Sequence, residues 1–208
     1  SGNSRYTADE VVAASGVEAG DYLALLNNNR ITRQIRSDLP YVEAVSIRRV
    51  LPDTVLITVQ ESAAAAAVEV EGSWWLINSA GKLLETVSSS EGHAVLTGLT
   101  PVAPVAGSMA VLPEEESIRW GYALDFLRAL EDADMLDGLT SLDCSSAGDF
   151  TAQYGGRFTL IFPSTGDFSE YLAMFQRTVE DELEESETGT FDFTHYDSTG
   201  RLYFRHDN

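Results

Sequence analysis

Ser79-Ala-Gly-Lys82 places a hydroxyl and an amine at the spacing used by serine–lysine acyl-transfer enzymes. That chemistry needs the serine at a helix start, so that the lysine comes round one turn later to take its proton. Ala80 and Gly81 read instead as a turn between two apolar strands, and no Lys-Thr-Gly partner occurs, so the pair is expected to be structural. His195, Asp197 and Ser198 supply the residue types of a hydrolytic triad. Neighbours along one strand cannot set an imidazole between the other two, and no Gly-x-Ser-x-Gly elbow exists. Asp132, Asp134 and Asp137 have the look of a calcium loop, but Leu136 stands where a third ligand is needed and no glutamate closes the loop. His93, His195 and His206 are dispersed, and Cys144 is the one cysteine, so neither a zinc site nor a disulfide is expected. No glycine-rich phosphate loop appears. The residues predict no catalytic site, cofactor or metal.

The elements that would hold such residues are read from periodicity. Thr7 and Glu10 fit a capping box, predicting a short helix over 8–15 that Gly16 ends. Tyr22, Leu23, Leu25 and Leu26 lead into a second helix, in which Ile31, Ile35 and Leu39 recur at four-residue spacing until Pro40 stops it. Two alternating strands follow, joined by Pro52-Asp53-Thr54. Val42, Ala44, Ser46 and Arg48 are expected on one face of the first strand, and Val45, Ile47 and Arg49 on the other. In the second strand Val55, Ile57 and Val59 alternate with Thr54, Leu56, Thr58 and Gln60. Residues 1–6 read as the tail of an earlier strand, so that the whole unit is βααββ with its first strand truncated.

Beyond residue 61 the pattern predicts a meander of strands near 66–70, 74–78, 83–87 and 94–99. A surface connection over 101–107 and a helix opened by Pro113 follow, the helix burying Ile118, Tyr122, Phe126 and Leu130. Strands return at 139–144, 150–154 and 158–162, with Gly155-Gly156 as the turn between the last two. A helix over 167–183 carries Phe168, Tyr171, Leu172, Phe175 and Val179 on one stripe, and strands over 190–196 and 201–206 close the chain. Trp74 and Trp75 are neighbours on a strand, so one is expected in the core and one outside. The fold class is α+β: a helix–hairpin unit over 1–61, then a mixed, mainly antiparallel sheet with two helices over 62–208.

Charge narrows the function. The 33 acidic residues against 13 basic ones give a net charge of −20, which repels phosphate backbones and argues against nucleic-acid binding. The acids gather at Glu114–Glu116 and over 180–187, a pattern of solvated faces. No apolar run reaches the roughly 18 residues of a membrane span, and no signal peptide opens the chain.

Three blocks carry a resemblance to a known family: Gly2-Asn-Ser-Arg-Tyr-Thr, Leu39-Pro-Tyr-Val-Glu-Ala-Val-Ser-Ile-Arg-Arg and Leu51-Pro-Asp-Thr-Val-Leu-Ile-Thr-Val-Gln-Glu. In register, they resemble the POTRA domain of the FtsQ/DivIB bacterial cell-division proteins. The likeness continues through Trp75-Leu-Ile-Asn-Ser-Ala-Gly-Lys-Leu-Leu and Asp192-Phe-Thr-His-Tyr-Asp-Ser-Thr-Gly-Arg-Leu-Tyr-Phe-Arg. Ser62 and the alanine run to Ala67 depart from the basic residue and proline that the family usually places there. The resemblance implies a POTRA domain over 1–61 and an FtsQ/DivIB-type β-domain over 62–208. It also implies an outward-facing position at the division septum, anchored by a single membrane helix not among these residues.

By the same resemblance the protein is a non-enzymatic scaffold of the division machinery. Its partners would be FtsB/DivIC-like and FtsL-like single-span proteins and the septal penicillin-binding protein complex. Tyr196, Ser198 and Phe204 fall on positions resembling the family's partner contacts, with Arg201, Leu202 and Tyr203 beside them on a terminal strand. Ile47, Arg48 and Arg49 on the hairpin form a second candidate contact. The alternatives are a POTRA-type chaperone of the cell envelope, which would show tandem repeats, and a cell-wall enzyme, which would need a clustered nucleophile or carboxylate pair.

Overall fold

A capping box opens the first helix of the computed structural model, which describes residues 5–207. Thr7 Oγ1 accepts from the Glu10 N–H while the Glu10 carboxylate takes the Thr7 N–H, and α1 runs from Ala8 to Ser15. Gly16 ends it in the left-handed region at φ 62°. A 3₁₀ turn over Leu23–Leu25, rather than helix, fills the approach to α2 (Asn28–Asp38), which Asn27 caps. Ile31 and Ile35 are fully buried against strand β1 (Val42–Val50), which pairs antiparallel with β2 (Thr54–Glu61).

The facing of β1 differs from the alternation at one end. Its register with β2 shifts between Val42 and Ala44, so Glu43 is the extra residue of a bulge. Val42 turns to the core with Val45 and Ile47, where period-two counting put it beside Ala44. Arg5 and Tyr6 form a bend rather than a strand tail, and residues 1–4 of that expectation lie outside the described residues.

The remaining strands form a nine-stranded sheet in the order β11-β10-β9-β8-β7-β6-β3-β4-β5. β3 (Ala66–Val70), β4 (Ser73–Ile77) and β5 (Leu83–Val87) are the expected meander. β6 (Val95–Thr97) does not continue it: the chain crosses back and β6 pairs in parallel with β3. Alternation tells which face a residue takes but not which edge a strand joins, so the crossover is invisible locally. β6 also pairs in parallel with β7 (Leu139–Asp143), and antiparallel pairing runs on through β8 (Asp149–Tyr154) to β9 (Phe158–Pro163). Gly155 and Gly156, both at positive φ, make the β8–β9 turn. β10 (Gly189–Asp192) lies parallel to β9, and β11 (Tyr203–His206) antiparallel to β10.

Helices α3 (Ser117–Asp132) and α4 (Phe168–Glu182) cover one face of this sheet. Phe168, Tyr171, Leu172 and Phe175 are buried as the stripe predicted, and Val179 is partly buried. In α3 the stripe is Trp120, Ala123, Phe126, Leu127 and Leu130, and Ile118 is 70% exposed. The helix proper starts after a 3₁₀ turn at Glu114–Glu116, which rotates its first turn away from the core. Residues 193–199 leave the strand geometry, and Tyr196–Thr199 form the short helix α5 that Gly200 caps. Trp74 and Trp75 are both half-buried, on opposite faces. Trp75 packs on the large core, and Trp74 on a small cluster of Tyr41, Ala67, Leu76 and Leu84 where the hairpin module meets the large sheet.

That junction is polar as well as apolar. Lys82, 3% exposed, donates from Nζ to the carbonyls of Arg36 (3.0 Å) and Val42 (3.1 Å), tying β5's approach to α2 and β1. Burial first, and the Arg36 guanidinium second, push its ammonium down to about 8. Glu85 accepts from Tyr41 Oη at 2.6 Å and pairs with Arg5 at 2.5 Å, while the Arg5 guanidinium lies 3.7 Å above the Tyr41 ring.

Candidate docking edge

A nine-stranded open sheet has two edges, and each is a row of backbone groups that must be covered, charged or paired. At β5 the edge is covered at its Leu83 end. The Leu83 N–H donates to Ser108, and the Gly107 and Ala110 N–H groups donate to Leu83 and Gly81. Glu85, further along the strand, is held by the hairpin module.

At β11 it is open. Among the described residues β11 is paired with β10 alone, and the Asp207 N–H reaches inward to the Thr188 carbonyl. In an antiparallel pair the N–H and C=O of one residue point the same way and alternate along the strand. The peptide groups of residues 203, 205 and 207 therefore face β10, and those of Phe204 and His206 face away from the sheet.

Side chains fix the strand in that position. Phe204 packs under the sheet, 4.6 Å from the Phe191 ring and 6.5 Å from Phe158, so it is an anchor rather than an exposed contact. Gly189 makes this approach possible, since a Cβ there would overlap the Arg205 carbonyl and the Phe204 ring. On the other face Tyr203, 50% exposed, and Arg205 border a cleft of about 450 Å³ with Ile161, Thr190, Asp192 and His195. The loop before β11 is braced by α5. Tyr171 Oη donates to Asp197 at 2.7 Å, Tyr196 Oη to Glu170 at 3.3 Å, and Ser198 Oγ to the His195 carbonyl at 3.0 Å. Burial first and then Asp197 raise the Tyr171 phenol well above its usual range, keeping it a donor.

Tyr196, Ser198, Arg201, Leu202, Tyr203 and Phe204 thus lie along one corner of the sheet. Tyr196 and Ser198 sit on α5, and Leu202 and Phe204 are partly buried against the core. Ile47, Arg48 and Arg49 belong to the other sheet. Ile47 is part of the hairpin core, Arg49 is held by the Leu26 carbonyl (2.7 Å) and Asn28 (3.2 Å), and Arg48 is exposed opposite Leu56. Sequence reasoning missed Arg205 and His206, although Arg205 repeats the Tyr203 position two residues on.

The residues with chemical potential are engaged otherwise. Ser79 Oγ donates to Glu131 and not to Lys82. Ser198 addresses the His195 carbonyl rather than its ring. Cys144 is buried and its thiol is pushed up to about 12, first by desolvation and then by Asp143. Among the described residues no group of three or more His, Cys, Asp or Glu side chains is placed to hold a metal ion, and no helix is long and apolar enough to cross a membrane.

A helix–helix–hairpin module followed by a large mixed sheet defines a two-module α+β protein. Residues 1–62 match the family described as POTRA domain, FtsQ-type. Somewhat less than half of the chain is similar to FtsQ and DivIB cell-division proteins. It is 32% identical over 91 residues to the cell division protein DivIB of Clostridium acetobutylicum, covering 44% of this chain and 36% of that protein. It is 30% identical over 87 residues to the cell division protein FtsQ of Streptomyces bingchenggensis, covering 42% and 33%. The solved extracytoplasmic domain of the trans isomer of Geobacillus stearothermophilus DivIB covers 60% of this chain and 99% of that one, at 11% identity and a TM-score of 0.36. The chain spans about a third of the length of these two curated relatives.

Proposed function

We propose that the protein is a non-enzymatic scaffold of the bacterial division machinery, dividing at Glu61–Ser62 into a POTRA domain and a β-domain, and that it works by accepting a partner strand along β11. The observation that supports this reading is the asymmetry of the large sheet: among the described residues β5 is bonded over at its Leu83 end, and no strand or loop is bonded to the outer side of β11. A strand laid on β11 gains main-chain hydrogen bonds from the outward peptide groups of Phe204 and His206, and its alternate side chains meet Tyr203 and Arg205. The likeness to FtsQ and DivIB supports a role in cell division, and the partner in this reading is a single-span coiled-coil protein of the FtsB/DivIC kind, travelling with an FtsL-like protein. Through them the scaffold would organise the septal penicillin-binding protein complex, from a membrane-anchored position outside the cytoplasm. Tyr196, Ser198, Arg201 and Leu202 brace or flank the edge. Ile47, Arg48 and Arg49 are a lesser candidate, because only Arg48 is free to reach a partner.

The test is a photo-crosslink from position 203, whose side chain faces solvent, in dividing cells. Capture of a small single-span protein supports the edge. Capture from position 48 with none from 203 moves docking to the POTRA hairpin and overturns the assignment.

A further inference from the structure

The hairpin-turn pole of the POTRA domain holds a second concave site, separate from β11. Arg49 reaches from β1 to the Leu26 carbonyl and draws the hairpin turn against the segment between α1 and α2. Between them lies a pocket of about 220 Å³ with Leu23, Leu26, Val55 and Ile57 in its floor. That volume is below the roughly 300 Å³ at which small-molecule sites begin, and suits one bulky apolar side chain of a macromolecule. Three of the most exposed large apolar residues of the protein flank it in the chain: Tyr22 (78%), Leu25 (80%) and Leu51 (82%). Glu18, Asp21 and Asp53 also line it, and no basic residue does. Arg49, the nearest base identified, is already bound to Leu26 and Asn28.

We infer that this pole is a docking site for a basic amphipathic segment of a second partner protein, which seats one apolar side chain in the pocket and sets Lys or Arg against Glu18 and Asp53. Charge complementarity selects this occupant. An anionic bilayer would meet three carboxylates, and a second copy of the chain would bring more acid to acid.

The experiment titrates the isotope-labelled full chain with a short helical peptide carrying one leucine between lysines, and with the same peptide bearing glutamates. Methyl shifts confined to Leu23, Leu26, Val55 and Ile57 are expected from the lysine peptide alone. The double variant Glu18→Lys, Asp53→Lys, both surface positions, should weaken that binding about tenfold or more. A control Glu184→Lys, Glu185→Lys should leave it unchanged. Equal binding of the glutamate peptide, shifts along 180–187 instead of the pocket, or no shift at all overturns the proposal. So do pocket shifts produced by anionic phosphatidylglycerol vesicles or by raising the protein concentration without peptide. The β11 edge is untouched by these variants, so failure here leaves the scaffold reading standing, and the reverse.

Discussion

Lys82 is the residue on which the two modules turn. It is the only lysine in the chain, and its ammonium is held by two carbonyls of the hairpin module with 3% of the residue exposed. Burial first and the Arg36 guanidinium second outweigh the pull of Glu43, which is why its pKa falls to about 8 from 10.5. The folded protein therefore holds fewer protons than the unfolded chain between pH 8 and 10.5. Stability rises with pH across that window and is lost as pH falls back to 8. The gain across that window is up to about 3 kcal/mol. Chemical denaturation across pH 7–11 should show it as a difference between the protein and Lys82→Met, and lysine-selective carbon NMR should show one Cε resonance titrating near 8. A midpoint near 10.5 would remove the argument.

At the scale of elements the decisive object is β11, which is short, peripheral and dependent on one missing side chain. Gly189→Ala should push β11 off β10, costing about 2 kcal/mol or more in thermal unfolding and abolishing capture from position 203. His206→Pro is the cleaner test. Its N–H faces away from the sheet, and proline is tolerated on an edge when the lost donor faces solvent. The variant should unfold within about 1 kcal/mol of the parent and yet fail to accept a partner strand, and unimpaired docking would exclude main-chain pairing there.

The elements themselves were largely legible. The capping box, the four-residue spacing in α2 and the alternation of the hairpin locate α1, α2, β1 and β2 because each signal is local. What escaped was set by distant pairing. The bulge at Glu43 moves Val42 to the other face, β6 crosses to β3, and the turn at Glu114 rotates Ile118 outward. The docking edge was half legible, since the strand is written in Arg201–Phe204 but its openness depends on what covers β5. Residue type alone does not tell facing, for the Phe204 ring packs on the core while the Tyr203 ring is half exposed.

Over the whole molecule, charge is unevenly shared. The first 61 residues hold six basic and eight acidic residues, and the other 147 hold seven and 25. The β-domain alone carries almost all the self-repulsion, which salt screens within about 10 Å at 0.1 M. Added sodium chloride should therefore raise the melting temperature, and an isolated β-domain should gain more than an isolated POTRA domain. Calorimetry of the chain and its halves checks this. The junction makes the two modules a pair of fixed direction. Glu85→Ala removes the acceptor of both Tyr41 and Arg5, and small-angle scattering should then show a broader distribution of overall dimensions.

Because the one side-chain amine in these 208 residues is shut inside that junction, reagents that couple to lysine find no handle on β11, on the POTRA pole or anywhere else on the surface. Lysine-directed crosslinking or biotinylation would thus report neither end when it is engaged. The 33 carboxylates make carbodiimide-type chemistry the reagent class that can report its neighbours.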